Sequence, residues 1–330
     1  MPLVVHFLNV GQGDCTIIEF PNDNRIGIVD VFNVKIYDKD TRAELLEAYR
    51  ESREYEKEKL IMPAGYDVEE AYLNKKRQEL TDPIAYFDTH IGKNKNVFRM
   101  IVTHPDMDHM TGLYRLHYQE PKNLINFWHT GDENFNLDDS TDEDWEKSPY
   151  DRRDWETYKK LRSSGNDPKG LFKTRNETGD FWTIDGVDIW SPSDNLIEDA
   201  SAKQKPNILS MVLMISYKGR NIILGGDATS EETWPDIREN IAIPNIDVLK
   251  ASHHGRKSGY YGPAVKDMSP WLTITSVTEK AHDATQNYRR YSDYTVSLRD
   301  TKDIKITIKD DGVLEYPAHL EDHWKPKLDS

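Results

Sequence analysis

The densest chemistry in the chain lies in Thr103-His104-Pro105-Asp106-Met107-Asp108-His109-Met110, where two imidazoles and two carboxylates fall within six residues. Phe98-Arg99-Met100-Ile101-Val102 before it is mostly apolar and predicts a buried strand, so the polar run falls where that strand ends and the backbone turns. Side chains of this kind brought round one turn can converge on a divalent cation, and they cost stability if they stay unpaired. A solvated polar loop with two incidental histidines is the plainer alternative. Two further stretches weigh against it. Asn221 to Leu224 runs into Gly225-Gly226-Asp227, and Ile246 to Ala251 runs into Ser252-His253-His254-Gly255. Metal-capable residues thus follow three separate strands, and strand ends meeting at one sheet edge are where such sites are built.

Six or seven nitrogen and oxygen ligands without a thiolate are enough for two adjacent divalent ions that share a bridging carboxylate. Such a pair can lower the pKa of a bridging water toward neutrality and clamp the attacking and leaving oxygens of a displacement. The carboxylates favour harder ions such as Mn²⁺, and the imidazoles keep Zn²⁺ in play. The single cysteine, Cys15, excludes an intrachain disulfide and a thiolate zinc knuckle; its apolar strand setting makes it a small core residue.

The elements that must position these groups can be read in order. Leu3 to Val10, Cys15 to Phe20 and Arg25 to Val31 predict three short strands in an antiparallel meander, with Asp14 and Asp30 as turn and strand-end carboxylates. Residues 39–80 are dense in Glu, Lys and Arg around spaced apolar residues and predict surface helices, a helical insertion over 36–95. Asp82-Pro83 opens a helix with proline in its first turn. Leu113 to Tyr118 begins another helix, and Leu124 to His129 is a strand that ends in a histidine. Residues 131–178 predict an acidic loop or flap with a short helix, Asp180 to Pro192 a hairpin about Asp185-Gly186, and 193–206 a polar loop. Leu209 to Tyr217 and Asn221 to Leu224 form a hairpin turning at Lys218-Gly219, Thr229 to Asn240 is helical, and Trp271 to Val277 and Ile304 to Ile308 complete the strands.

At 330 residues the chain can bury a full core. Its 43 basic against 58 acidic residues give a net charge of −15, a field that disfavours loose binding to nucleic acid or anionic membranes. Any nuclease role then needs a local basic groove or metal ions. Met1 to Phe7 has no basic flank and too short an apolar run for a signal peptide, and no window approaches a membrane span. The expectation is a soluble, cytoplasmic protein that does not meet the membrane.

The ordered set His104-x-Asp106-x-Asp108-His109, Gly226-Asp227 and His253-His254-Gly255 resembles the signature of the metallo-β-lactamase fold. The subgroup it most resembles is the competence-type DNA-uptake hydrolase, through Asn9-Val10-Gly11-Gln12-Gly13-Asp14 and Asn207-x-x-Ser210. The resemblance covers residues 3 to about 280, with the segments 35–95 and 131–178 outside it. It implies an α+β fold, an αββα sandwich in a single domain over 1–330, and one or two metals. Position by position, it implies that His104 and Asp106 hold the first ion, with Asp106 standing where the broader superfamily has histidine. Asp108 and His109 would serve the second ion, Asp108 also acting as proton donor to the leaving group. Asp227 would bridge, His254 would complete the ligands of the second ion, and His253 would either support the ligands from behind or face the substrate. The family's middle histidine has its candidate in His129, against a structural histidine beside Trp128; Asp132 could substitute. His282-Asp283 falls where the subgroup places another substrate-side histidine.

Arg256, Lys257 and Ser258 could bind a phosphate beside the metals or form a plain polar loop. His6 reads as core, and His90, His117, His319 and His323 lack ligand spacing. The function expected is a metal-dependent hydrolase of phosphoester bonds, a nuclease or nucleotide phosphodiesterase, acting by metal-activated hydroxide with two divalent ions, Zn or Mn. Its substrate would be a nucleotide or nucleic acid, small or single-stranded in view of the acidity. A thioester or lactam hydrolase on the same fold is the alternative; a non-catalytic binding subunit would have no use for seven clustered ligands.

Overall fold

The computed structural model describes residues 1–33, 37, 39–130, 141–277 and 284–328. Strands β1 (Leu3–Phe7), β2 (Thr16–Glu19) and β3 (Ile26–Val29) are short and rich in β-branched residues, and they pair antiparallel as the expected meander. The next strand, β4 (Val97–Ile101), is parallel to β3, so the chain must leave the sheet and cross back. Helices α1 (Lys39–Arg50), α2 (Arg53–Ile61), α3 (Val68–Gln78) and α4 (Pro83–Tyr86) lie in that crossover. Ser52, Asp67 and Asp82 cap the last three by accepting from backbone N–H groups of their first turns. After β4 comes the single turn α5 (Met107–Met110), then β5 (Leu124–His129), again parallel.

Residues 141–178 hold more structure than a flap with one short helix. They form α6 (Asp142–Lys147), α7 (Arg152–Arg162) and the edge strand β6 (Lys169–Phe172). The cause is burial: Trp155, Tyr158 and Leu161, three apart on α7, are all within the core. Asp180–Ile184 is likewise a helix, α8, and not the first arm of a hairpin. Its end is fixed by Asp185, which takes Arg25 Nε at 3.0 Å and Arg99 at 2.7 Å, and β7 (Val187–Ser191) finds its antiparallel partner later in the chain. The polar stretch after it is also a helix, α9 (Asp194–Lys203), capped by Ser193 and buried through Leu196 and Ala200. That Ser-x-x-Leu-x-x-x-Ala pattern was available in the sequence and is a helix start.

The hairpin β8 (Val212–Tyr217) and β9 (Arg220–Leu224) forms as expected. Then α10 (Thr233–Asn240), β10 (Val248–Lys250), α11 (Gly262–Met268), β11 (Leu272–Thr275), α12 (Ala284–Tyr288) and β12 (Tyr294–Ser297) alternate, so β9 to β12 are parallel neighbours. After α13 (Leu298–Thr301), β13 (Ile304–Ile308) and β14 (Leu314–Glu315) return to the first sheet, and β15 (Lys325–Pro326) edges the second. The sheets run β14-β13-β1-β2-β3-β4-β5-β6 and β15-β12-β11-β10-β9-β8-β7.

Strand alternation divides the apolar residues into three cores. Leu3, Val5, Phe7, Ile101 and Trp128 of one sheet meet Leu213, Ile215, Ile222, Leu224, Val248 and Ile274 of the other. Their neighbours Ile17, Ile28, Met100, Val102 and Phe127 face away, onto Leu116, Trp155 and Tyr158. In the second sheet Val212, Ile223 and Leu249 face away onto Trp234, Ile237, Val265 and Met268. The result is helix, sheet, sheet, helix: the αββα sandwich that the metallo-β-lactamase resemblance implies. No helix among the described residues is long and apolar enough to cross a membrane.

Candidate metal centre

Parallel strands carry their loops to one edge of a sheet, and that edge gathers the polar groups. β4 delivers His104, and Asp106 starts α5 by accepting from Met107 N at 2.7 Å, which turns Asp108 and His109 inward. β9 delivers Asp227 through Gly225-Gly226, and Asp227 N donates to Ser210 Oγ at 3.0 Å. β10 delivers His253 and His254. Asp108, His109, Asp227 and His254 form one group, with a ligand atom from each within 4.8 Å of all the others. His109 Nε2 is 3.1 Å from Asp227 Oδ1, and His254 Nε2 is 3.2 Å from Asp108 Oδ2 and 3.6 Å from Asp227 Oδ2. His104 stands beside them with Nε2 4.0 Å from Asp227 Oδ2, and His253 Nε2 is 3.5 Å from the same oxygen.

Donor atoms that point into the group are left over. Among the described residues, His104 Nε2, Asp108 Oδ1, His109 Nε2 and Asp227 Oδ1 are buried and make no well-formed hydrogen bond. Burying such atoms without well-formed hydrogen bonds is costly, and divalent cations held among them would offset that cost. The Nδ1 atoms of these rings face outer partners. His109 Nδ1 meets Asp30 Oδ2 at 2.8 Å, and Asp30 also accepts from Thr103 N and Oγ1 at 2.8 and 2.9 Å. His104 Nδ1 lies 3.1 Å from Thr103 Oγ1. His254 Nδ1 lies 3.4 Å from Asp14, which is held in turn by Lys250 Nζ at 2.6 Å and Ser276 Oγ at 3.0 Å. Such outer partners fix the tautomer and turn the other ring nitrogen toward the centre.

The proton affinities follow from this arrangement. Burial lowers His104 to about 3, leaving a neutral ring with a free lone pair. Burial acts the same way on His109 and His254, but the carboxylates outweigh it. Asp227, Asp30 and Asp108 raise His109 well above its ordinary value, and Asp227, Asp14 and Asp108 raise His254 to about 10. For Asp227, burial alone would raise the carboxyl, yet His254, His109 and His253 hold it well below the carboxylate range. Asp106 is raised by burial and by the neighbouring Asp108 charge. The negative field that holds these protons would hold a divalent ion in their place and release them.

The backbone is also under tension here. His253 and His254 lie in succession at φ 50° and 60°, and Asp30 lies at 57°. Non-glycine residues in the left-handed region cost about 1 kcal/mol or more each, and such outliers cluster at functional sites. His253 N donates to Gly226 O at 2.8 Å, tying the two ligand loops together. Gly13 shows how tightly the first turn is pressed against the centre: a Cβ there would lie 2.2 Å from Asp108 O.

His129 ends β5 with its ring 6.1 Å from that of Phe172; burial together with Arg162 and Lys173 lowers it to about 4, and it is not in the group of four. Asp132 and His282-Asp283 lie outside the described residues. Asp14 and Asp30, read as a turn and a strand end, prove to be the partners of His254 and His109. Asn207, which opens the Asn-x-x-Ser motif, gives Nδ2 to Asp227 Oδ2 at 3.2 Å, so Asn207 and Ser210 both grip the central aspartate.

No protein-family model matches the chain, and no curated protein matches it in sequence. Among solved structures it is similar to Igni18, a metallo hydrolase from the archaeon Ignicoccus hospitalis, at 12% identity and TM-score 0.39, with 82% of this chain and 81% of that one covered. It is similar to a point mutant of the CmlA beta-hydroxylase at 12% and 0.39, covering 82% of this chain and 45% of that one. Unliganded yeast PDE1 is similar at 13% and 0.38, with 87% and 92% covered. At such scores the likeness carries no statement about activity.

Beside the centre opens a cleft of about 320 Å³ lined by Lys205, Asn207, Thr229, Ser230, Glu231, Glu232, His253 and Ser258. His253 spans the two: Nε2 faces Asp227, while Nδ1 meets Ser258 Oγ at 2.7 Å.

Proposed function

We propose that this chain is a metal-dependent hydrolase of phosphoester bonds, related to the competence-type hydrolases. The observation that carries the reading is the clustering of Asp108, His109, Asp227 and His254, with a ligand atom from each within 4.8 Å of all the others, beside an open cleft lined by polar side chains. Asp227 would bridge two divalent ions, zinc or manganese; His104 and Asp106 would hold one, and Asp108, His109 and His254 the other. Bound there, the ions would supply Lewis acidity and a nucleophile near neutral pH. Asp30 and Asp14 hold His109 and His254 in the orientation that such binding requires. Asp108 is partly exposed, so it can pass a proton to a leaving group as well as ligate. His253, between Asp227 and Ser258, orients the substrate in the cleft. Asn207 and the hydroxyls of Thr229, Ser230 and Ser258 are hydrogen-bond partners suited to phosphate oxygens. The cleft is small and includes Glu231 and Glu232, which favours a nucleotide or a single-stranded end over duplex DNA.

The test begins with metal content. Protein purified without chelator should carry at least one transition metal per chain, and Asp227→Ala should lose most of it. With Mn²⁺ or Zn²⁺, bis-p-nitrophenyl phosphate or a nucleotide diester should be turned over, and Asp108→Asn should reduce kcat by about two orders of magnitude. Wild-type metal content in Asp227→Ala would remove the two-ion assignment. Hydrolysis of thioesters and not of phosphodiesters would move the reaction to carbonyl chemistry.

A further inference from the structure

We propose that Arg256 and Arg299 form an oxyanion subsite beside the metal centre, built for a phosphate, and that Glu44 of α1 occupies it as an internal stand-in. The inference rests on the phosphoester reading and names where a phosphate of that substrate would be held. One carboxylate bridges two guanidinium groups: Arg256 Nη1 is 2.6 Å from Glu44 Oε1, and Arg299 Nη1 is 3.1 Å from Glu44 Oε2. Both arginines stand next to the ligand loops. Arg256 lies two residues beyond His254, and its N–H donates to His253 O at 2.8 Å. Arg299 follows β12, whose Ser297 is in register with Thr275 of β11. The next residue, Ser276, donates its N–H to His254 O at 2.8 Å and its hydroxyl to Asp14 at 3.0 Å.

A carboxylate does not complete this site. Two guanidinium charges against one carboxylate leave a net positive spot in a chain whose net charge is −15. Arg299 is 5% exposed, and its Nε and Nη2 are buried without an acceptor among the described residues. Glu44 accepts from the Nη1 atoms and not from these two donors. Buried guanidinium donors seldom go unpaired, and a planar fork matches the oxygens of a phosphate at least as well as those of a carboxylate. A phosphate brings more oxygens and, as a monoester, more charge. Glu44 reaches the site on a flexible side chain from the crossover helices, so it can swing away without disturbing either sheet. In this arrangement substrate binding displaces the Glu44 carboxylate.

A simple docking pin for α1 would use the same three residues, and the two roles separate in a binding experiment. The full chain, freed of metal with chelator, is titrated with inorganic phosphate by calorimetry in chloride buffer. Glu44→Gln removes the competing charge and should bind phosphate about tenfold tighter than wild type or more. Adding Arg256→Gln should abolish that gain. Glu44→Asp, which keeps the charge on a shorter arm, should lie between the two and serves if Glu44→Gln does not fold. In metal-loaded protein Glu44→Gln should lower KM for bis-p-nitrophenyl phosphate and leave kcat near wild type. Equal phosphate affinity in wild type and both Glu44 variants, or a gain that survives Arg256→Gln, overturns the subsite. A phosphate gain with no phosphodiester turnover in any variant would instead support the subsite and overturn the phosphodiesterase reading.

Discussion

Asp30 accepts from Thr103 and meets His109 Nδ1, which leaves His109 Nε2 as the atom turned toward Asp227. A buried carboxylate thus acts on the centre without touching an ion. Asp154 plays a comparable part at the exit of the ligand loop, accepting from Gly112 N at 3.0 Å and Tyr114 N at 2.8 Å. Burial pushes its carboxyl up to about 6 in spite of those two bonds. A carboxyl raised in the fold is ionised first in the unfolded chain, so the fold loses stability as pH rises from about 4 to about 6. The rise from its ordinary value to about 6 is worth at most about 3 kcal/mol. Asp154→Asn keeps an oxygen for both amides and has no charge to bury. Its stability relative to wild type should therefore improve by about 1–3 kcal/mol between pH 4.0 and pH 7.5, read from urea unfolding midpoints at each pH. An unchanged gap would mean that the folded carboxyl ionises like an unfolded one.

At the scale of elements, α7 decides whether residues 141–178 are a cover or a wall. Trp155, Tyr158 and Leu161 are 0–1% exposed and pack with Met110, Leu113 and Phe127 in the core beneath β4 and β5. The same helix carries Asp154, so its packing and the ligand loop are joined. Trp155→Ala should cost about 3–5 kcal/mol of stability, the range for deleting a buried aromatic. It should change KM for a small phosphodiester by less than about threefold under conditions where the variant is folded. Thermal unfolding with parallel kinetics checks this. Little change in Tm with a large change in KM would restore the role of a flap.

Across the whole molecule, the charge of −15 sets how polyanions approach. Repulsion between like charges is screened by salt, with a Debye length of about 30 Å at 0.01 M and about 8 Å at 0.15 M. For a single-stranded oligonucleotide, kcat/KM should rise as sodium chloride is increased over that range. A basic nuclease would show the opposite slope. Bis-p-nitrophenyl phosphate, with one charge, should respond far less. A steep fall with salt would reveal a basic groove that outweighs the overall field.

The candidate ligand types, their order and the strands that carry them were legible because each is local. An apolar run ending in His-x-Asp-x-Asp-His, a Gly-Asp after a hairpin and a His-His-Gly after a strand can be read without knowing what lies beside them. Periodicity and capping specify elements in the same way, and α9 shows that even a missed helix had its Ser193 cap and its Leu196–Ala200 face in view. α8 was different, since only the Asp185 contact with Arg25 and Arg99 and the pairing of β7 with β8 distinguish it from a hairpin arm. The partners of the ligands were beyond reach for a similar reason. Asp30 is 79 residues from His109, and Asp14 is 262 from the Ser276 that holds it. The resemblance offered His129 as a ligand; its ring lies beside that of Phe172 and it is not in the group of four. Which strand ends meet is fixed by burying three apolar cores at once, a condition on the whole chain that no single stretch expresses.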